Sequence, residues 1–383
     1  MNYNPQSTSY KQVGLERLLA NPALAAGWGR TGLLTNPSGV TRDLTPAAVA
    51  LARAGVPLER LYGPEHGVDG SGAPGEAPEV AQDPASGLPA SVLYHLPEEE
   101  TAARLAGLDT LLIDLQDVGV RFYTYISTIR DVLRAATKLP LRVVVLDRPN
   151  PLGFRVEGPP LNPAYRSFVG VTAALPVRHG LTIGEVARVL AAEEGAGVEV
   201  IGTDAPDGWH AGRTWIPSSP NLPDLESLRF YAGNCLIEAL DSSEGRGTAL
   251  PFRLFGAPNI DAPKLSQRLN ALSLGVTARP AYFSPTTSKQ KGKRCAGVQL
   301  HETHGPLGDS LPLGLALFTA LEEQGAVRNP DWLQKLLGVP SETVPSTPEA
   351  ALEALKGWQA AGERQAQALR GHWLYERSNG LTV

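Results

Sequence analysis

The sequence predicts an α/β protein: a Rossmann-like parallel-sheet domain followed by a second, smaller α+β domain. Three observations predict it. Four short apolar runs in the first 150 residues each end in a polar cluster on the carboxyl side, helical patterns separate them, and the alternation changes character after Ser227. Strands alternating with helices make right-handed βαβ units, and their parallel sheet collects the strand carboxyl ends on one edge, where open α/β sheets bind ligands.

Each element follows in order. The first run, 31–35, opens into Asn36-Pro37-Ser38-Gly39, and a helix is expected over 45–54 with Thr45 at the N-cap and Pro46 at N1. The second, 58–62, opens into Gly63-Pro64-Glu65-His66-Gly67 and a long polar loop to Gly87 that reads as a lid or rim. A helix over 97–106 leads to the third run, 110–113, which ends in Asp114-Leu115-Gln116-Asp117. A helix over 122–137 and the fourth run, 142–146, lead to Asp147-Arg148-Pro149-Asn150. A helix over 182–194 and a fifth strand over 198–202 close the first domain, followed by a loop over 204–223 rich in Trp, Pro, Gly and Ser. Beyond it come a helix over 228–240, a glycine-rich loop over 242–248, a helix over 262–272, strands over 276–283 and 296–302, and three C-terminal helices. The domains are placed at 1–225 and 226–383.

Composition narrows the function. With 383 residues, 42% of them hydrophobic, the chain buries a large core. A net charge of −5 gives no concentrated basic face, so neither nucleic acid nor an anionic membrane is expected as partner. The one basic run, 289–294, reads as a solvated loop. Cys235 and Cys295 read as reduced core thiols. No run of 18 apolar residues occurs, so no helix is expected to span a membrane. Residues 1–10 are polar and 15–26 are too interrupted for a signal segment, which points to the cytoplasm.

The polar clusters carry the chemistry. Glu65-His66 places a carboxylate and an imidazole on a tight glycine-flanked turn; the bland reading is a capping Glu and a His satisfied by a backbone carbonyl. Asp114, Gln116, Asp117 and Arg121, followed by Phe122-Tyr123-Thr124-Tyr125, are either a structural ion pair on a helix or the carboxylates, amides and aromatic faces of a sugar site. Asp147, Arg148 and Asn150 fit a plain strand exit or a preorganised polar wall. Ser243-Glu244-Gly245-Arg246-Gly247 holds a second carboxylate with an Arg able to fork onto a carboxylate, and by itself is as readily a surface turn. His179 immediately precedes a helix. No zinc spacing, no dinucleotide-binding glycine motif and no nucleophile-elbow serine is present, so no cofactor or metal is expected and paired carboxylates are the best chemistry on offer.

In this order the motifs resemble the exo-acting β-N-acetylmuramidase family of bacterial cell-wall glycoside hydrolases. The resemblance rests on Gly32-Leu-Leu-Thr-Asn36-Pro-Ser-Gly-Val40, Tyr62-Gly-Pro-Glu-His-Gly67, Asp114-Leu-Gln-Asp-Val-Gly119, Arg121-Phe-Tyr-Thr-Tyr125 and Leu146-Asp-Arg-Pro-Asn-Pro-Leu-Gly153. It continues through His179-Gly-Leu-Thr-Ile-Gly-Glu185, Pro220-Asn221-Leu-Pro223 and Ser243-Glu-Gly-Arg-Gly-Thr248. It implies a site between two domains and release of N-acetylmuramic acid from the non-reducing end of peptidoglycan fragments, with a small carbohydrate as the substrate and the oligomeric state left open. Members are commonly exported, so it implies either a cytoplasmic recycling role or a periplasmic or secreted one.

Glycoside hydrolysis normally uses two carboxyl groups. The expected catalytic set is Glu65, as general acid in a semi-buried turn, with Glu244 or Asp117 as its partner. The substrate-binding set is Asn36, His66, Asp114, Gln116, Arg121, Tyr123, Asp147, Arg148, Asn150, His179, Asn221 and Arg246. Arg246, Arg148 and Arg121 are the candidates for the lactyl carboxylate that distinguishes muramic acid from glucosamine. The substrate's acetamido group also allows assisted catalysis with one essential acid. Two other classes stand beside this one: a sugar-binding protein without turnover, and a metal-dependent amidase or deacetylase using Glu65, His66, His179 and an Asp.

Overall fold

The computed structural model describes residues 11–210 and 212–377; the polar segment 1–10 lies outside the described residues. Its strands are β1 Thr31–Thr35, β2 Leu58–Gly63, β3 Ala90–Val92, β4 Thr110–Asp114, β5 Arg142–Leu146, β6 Glu157–Pro160, β7 Pro176–Arg178, β8 Glu199–Ile201, β9 Leu254–Ala257, β10 Thr277–Phe283 and β11 Cys295–His301. Its helices are α1 Gly14–Ala20, α2 Ala47–Arg53, α3 Glu98–Leu105, α4 Tyr125–Ala136, α5 Ile183–Glu194, α6 Leu225–Asn234, α7 Ala262–Asn270, α8 Leu311–Glu322, α9 Pro330–Leu337 and α10 Pro348–Ala368. Two compact units interleave along the chain: Met1–Asp117 with Thr128–Gly153 and Leu181–Thr214, and Val118–Ser127 with Phe154–Gly180 and Trp215–Val383.

The first unit holds the sheet β3-β2-β1-β4-β5-β8, parallel at every pairing. The chain winds outward from β1 through β2 and β3, then returns to β4 on the other side and winds outward again. The order therefore reverses between β1 and β4, where Thr35 pairs with Asp114. At such a switch point the two connections leave in opposite directions and open a crevice beyond the carboxyl ends. β1 and β4 are buried along their whole length, as expected of strands covered on both faces, and this is why their sequences show no alternation. Leu33, Leu61, Leu112 and Val144 join Leu15, Leu18, Trp28 and Leu51 in one core cluster.

The second unit packs the antiparallel sheet β10-β11-β9 and the pair β6–β7 with helices α6 to α10. Helix α8 is buried at every position from Leu313 to Leu321, so it lacks the polar face of a surface helix. Its first amides are satisfied by Glu157 Oε2, which accepts from Ser310 N at 2.8 Å and Leu311 N at 2.7 Å, while Arg178 pairs with Oε1. At Gly233 a Cβ would fall 1.8 Å from Ser310 O, so only glycine lets α6 approach the start of α8.

The structure departs from the sequence reading in definite places. Helix α2 starts at Ala47, with Pro46 rather than Thr45 at its N-cap. Helix α4 starts at Tyr125 rather than at 122, because Phe122-Tyr123-Thr124 turn back on themselves and Tyr123 N bonds Val120 O. The expected helix 228–240 begins at Leu225, capped by Asp224 accepting from Ser227 N at 2.7 Å, and tightens into a 3-10 turn over Cys235–Ala239. Helix α1 and strands β3, β6, β7 and β9 are short elements that hydrophobic periodicity did not resolve. Cys235 and Cys295 are free and buried, as expected. Among the described residues no helix is long and apolar enough to cross a membrane.

Candidate functional site

In the first unit, the turn after β2 presents Glu65. Its side chain is half-buried and accepts from Gly75 N at 2.7 Å. Tyr94 reaches the same carboxylate; burial first, then the charge and hydrogen bond of Glu65, raise its phenol well above the ordinary value. Next to it His66 takes the left-handed conformation at φ 74°, which costs a non-glycine residue roughly 1–3 kcal/mol unless the surroundings enforce it. They do. His66 N donates to Glu76 O at 2.7 Å, Gly72 N donates to His66 O at 3.0 Å, and Nδ1 lies 2.9 Å from Gly72 O. The expected rim loop is thus tied down on the Glu65-His66 turn, and the imidazole is buried against a backbone carbonyl.

The exits of β1, β4 and β5 form a second layer. Asp114 is fully buried and receives a fork from Arg148, Nε to Oδ1 at 2.6 Å and Nη2 to Oδ2 at 2.9 Å; Nη2 also donates to Val40 O at 3.1 Å. Of the two readings open for Asp114, Asp117 and Arg121, a structural ion pair is present at Asp114, and its partner is Arg148 rather than Arg121. Asp147 accepts from Arg148 N, Gly184 N and Thr182 Oγ1 at 2.8–3.0 Å and so anchors the start of α5. Asn150 donates to Leu181 O and accepts from Leu152 N, and Asn36 accepts from Ser38 N and Oγ. Gln116 Nε2 donates to Asp117 O at 2.7 Å and Pro149 O at 2.9 Å, while its Oε1 is buried without a hydrogen-bond partner. Asp117 is 2% exposed.

The second unit carries the rest. Arg121 is 1% exposed and donates to Pro159 O, Leu175 O and Leu336 O at 2.9–3.0 Å, fastening three segments together; burial pulls its guanidinium down to about 9. Tyr123 donates to Ser218 Oγ at 2.8 Å, His179 is buried and its backbone N–H donates to Gly119 O, and Asn221 N donates to Ser219 Oγ.

Around the glycine-rich loop lies a charged cluster. Glu244 is 1% exposed; its Oε1 pairs with Arg246 Nη1 at 3.0 Å, and its Oε2, closed to solvent, has no hydrogen bond but lies 3.8 Å from Lys289 Nζ. The loop needs Gly245, at φ +85°, because a Cβ there would meet Leu250 O at 2.7 Å. Arg246 also pairs with Glu238 at 2.6 Å and stacks its guanidinium 4.7 Å from the Phe252 ring. Burial alone would raise Glu238, but Arg246 and Lys289 outweigh it and hold the carboxyl below its ordinary value. Burial pushes the adjacent Cys235 thiol well up.

Sequence reasoning missed Tyr94, Glu238 and Lys289. Lys289 belongs to the basic run read as a solvated loop, yet its Nζ donates to Ile237 O, Glu238 O and Leu240 O at 2.6–3.1 Å, and burial lowers its ammonium. None of the three has a motif: Tyr94 meets Glu65 and Lys289 meets Glu238 across long stretches of chain, and Glu238 pairs with Arg246 eight residues on. Among the described residues no group of three or more His, Cys, Asp or Glu is arranged to hold a metal ion.

Comparison with known proteins adds a second line of evidence. The N-terminal model of exo-β-N-acetylmuramidase NamZ matches residues 31–226, and its C-terminal model matches 229–374. The chain is 38% identical over 321 residues to the peptidoglycan β-N-acetylmuramidase NamZ of Bacillus subtilis (strain 168), covering 82% of this chain and 77% of that one. Two crystal structures of DUF1343 family proteins from Bacteroides fragilis NCTC 9343 are similar. One has a TM-score of 0.80 and 31% identity over 96% of this chain and 99% of the other; the second has 0.75 and 26%, over 97% and 100%.

Proposed function

Since the chain belongs to the exo-β-N-acetylmuramidase NamZ family, we propose that Glu65 is the acid with which it cleaves its substrate. The protein is a glycoside hydrolase, and its reaction is removal of N-acetylmuramic acid from the non-reducing end of peptidoglycan fragments.

The observation that carries the role of Glu65 is exposure. Glu65 is half-buried at the carboxyl edge of the sheet, whereas Glu244 and Asp117 are 1% and 2% exposed and Glu244 Oε2 is shut off from solvent. A proton donor has to touch the leaving oxygen. One open carboxyl favours the substrate-assisted scheme. Glu65 gives its proton to the glycosidic oxygen as the C1–O bond breaks, and the acetamido carbonyl oxygen bonds to C1. Water then attacks C1, the carbonyl oxygen leaves, and Glu65 takes the water's proton. Gly75 N–H and Tyr94 are hydrogen-bonding groups placed to stabilise the carboxylate between these steps.

For the lactyl carboxylate, exposure again selects. Arg148 and Arg121 are 2% and 1% exposed and committed to Asp114 and to carbonyls, while 17% of the Arg246 side chain is exposed. Arg246 is the reader of that group in this scheme.

Two inversions at C1 leave the configuration unchanged. Proton NMR of the wild type on MurNAc-β-1,4-GlcNAc is expected to show β-N-acetylmuramic acid as the first product. The α anomer appearing first would overturn the assisted scheme, and intact disaccharide with measurable binding would overturn turnover itself.

A further inference from the structure

The charge count around Arg246 does not favour an anionic ligand until Lys289 is included. Glu238 and Glu244 pair with the one guanidinium at 2.6 and 3.0 Å, which leaves those three side chains with a net charge of −1. A carboxylate approaching Arg246 would meet two like charges, and juxtaposed like charges act against binding. Lys289 brings the sum to zero. It does so from a fixed place: three of its hydrogen bonds go to the carbonyls of Ile237, Glu238 and Leu240, on the turn that carries Glu238, and its ammonium lies 3.8 Å from the otherwise unbonded Glu244 Oε2. Ser288, immediately before it, is in reach of Glu244 Oε1 at 3.4 Å, and Ser288 and Gln290 both hold left-handed backbones, at φ 62° and 58°. That local geometry is what turns the first lysine of an apparent surface run inward.

We propose that Lys289 is a positioning residue for muramic acid selectivity: its ammonium neutralises the Glu238–Arg246–Glu244 cluster and fixes both carboxylates, so that Arg246 is left to attract the lactyl carboxylate. The proposal rests on the reading of Arg246 given above. Lys289 itself makes no contact with the sugar in this scheme. Its effect is confined to the charge of the lactyl group, which separates it from a lysine that merely holds the turn together.

The test compares two competitors that differ only in that charge, free N-acetylmuramic acid and its lactyl methyl ester, as inhibitors of 4-nitrophenyl β-N-acetylmuraminide hydrolysis. Wild type is expected to prefer the acid, and Arg246→Ala to lose the preference. Lys289→Met is expected to reduce it about tenfold through the acid's Ki alone, with Lys289→Arg restoring it. Lys289→Gln keeps a hydrogen-bond donor for the carbonyls without the charge and is expected to behave as Lys289→Met, so misfolding of one variant does not decide the matter. If Arg246→Ala abolishes the preference while folded Lys289→Met and Lys289→Gln keep it, the role of Lys289 is overturned and that of Arg246 stands. Equal weakening of acid and ester by both Lys289 variants would likewise mean a structural lysine. No preference in wild type would overturn the reading of Arg246 and this inference together.

Discussion

At the scale of single residues, three arginines proposed for one task have three different employments. Arg121 spends its donors on carbonyls, Arg148 on a buried carboxylate, and Arg246 on two carboxylates beside an aromatic ring. A buried charge survives only with partners, so removing one partner exposes the full desolvation cost of the other. Asp114→Asn should therefore destabilise the fold by about 3–5 kcal/mol, because Arg148 is left charged and buried. A urea melt checks this; a change within the error of the midpoint would show that the pair contributes nothing. Sequence alone exposed the residue types but not these pairings, since Arg148 and Asp114 stand 34 positions apart and Arg121 is much nearer in the chain.

At the scale of elements, what could be read in advance tracks how local the determining interactions are. The start of helix α5 is written in four residues: Thr182 accepts from Glu185 N, and Glu185 accepts from Thr182 N. Thr182 also donates to Asp147, so this cap ties the helix to the exit of β5. Thr182→Ala should cost about 1 kcal/mol or more, visible as a lowered midpoint in thermal or urea unfolding. An unchanged midpoint would mean that Asp147, through Gly184 N, holds α5 unaided. By contrast, the 3-10 turn that follows α6 carries contacts from Lys289, 51 residues further along the chain, and from Arg246 in the glycine-rich loop. The Lys289 contact lies outside any short window of sequence around 228–240.

At the scale of the molecule, the parallel sheet is readable from β1, β4 and β5, which are apolar runs with polar exits, while the three-residue edge strand β3 is not. The interleaving of the two compact units is not either, because 118–127 and 154–180 lie in sequence among the strands of the first unit yet pack with the second. Most members of the polar exits hold the sheet edge in shape. Asp114, Asp147, Arg148 and Asn150 are bonded to one another's neighbourhood, and Glu65, on the turn after β2, is half-buried.

That distinction between a supporting and a reacting carboxylate is the central claim, and one comparison tests it most directly: the rate of N-acetylmuramic acid release from MurNAc-β-1,4-GlcNAc by wild type, Glu65→Gln and Glu244→Gln. Loss of general acid catalysis should lower the Glu65→Gln rate about a thousandfold, while Glu244→Gln, which disturbs the setting of Arg246, should act mainly on KM. Near-normal turnover in Glu65→Gln with abolished turnover in Glu244→Gln would contradict the account and move the chemistry to the glycine-rich loop.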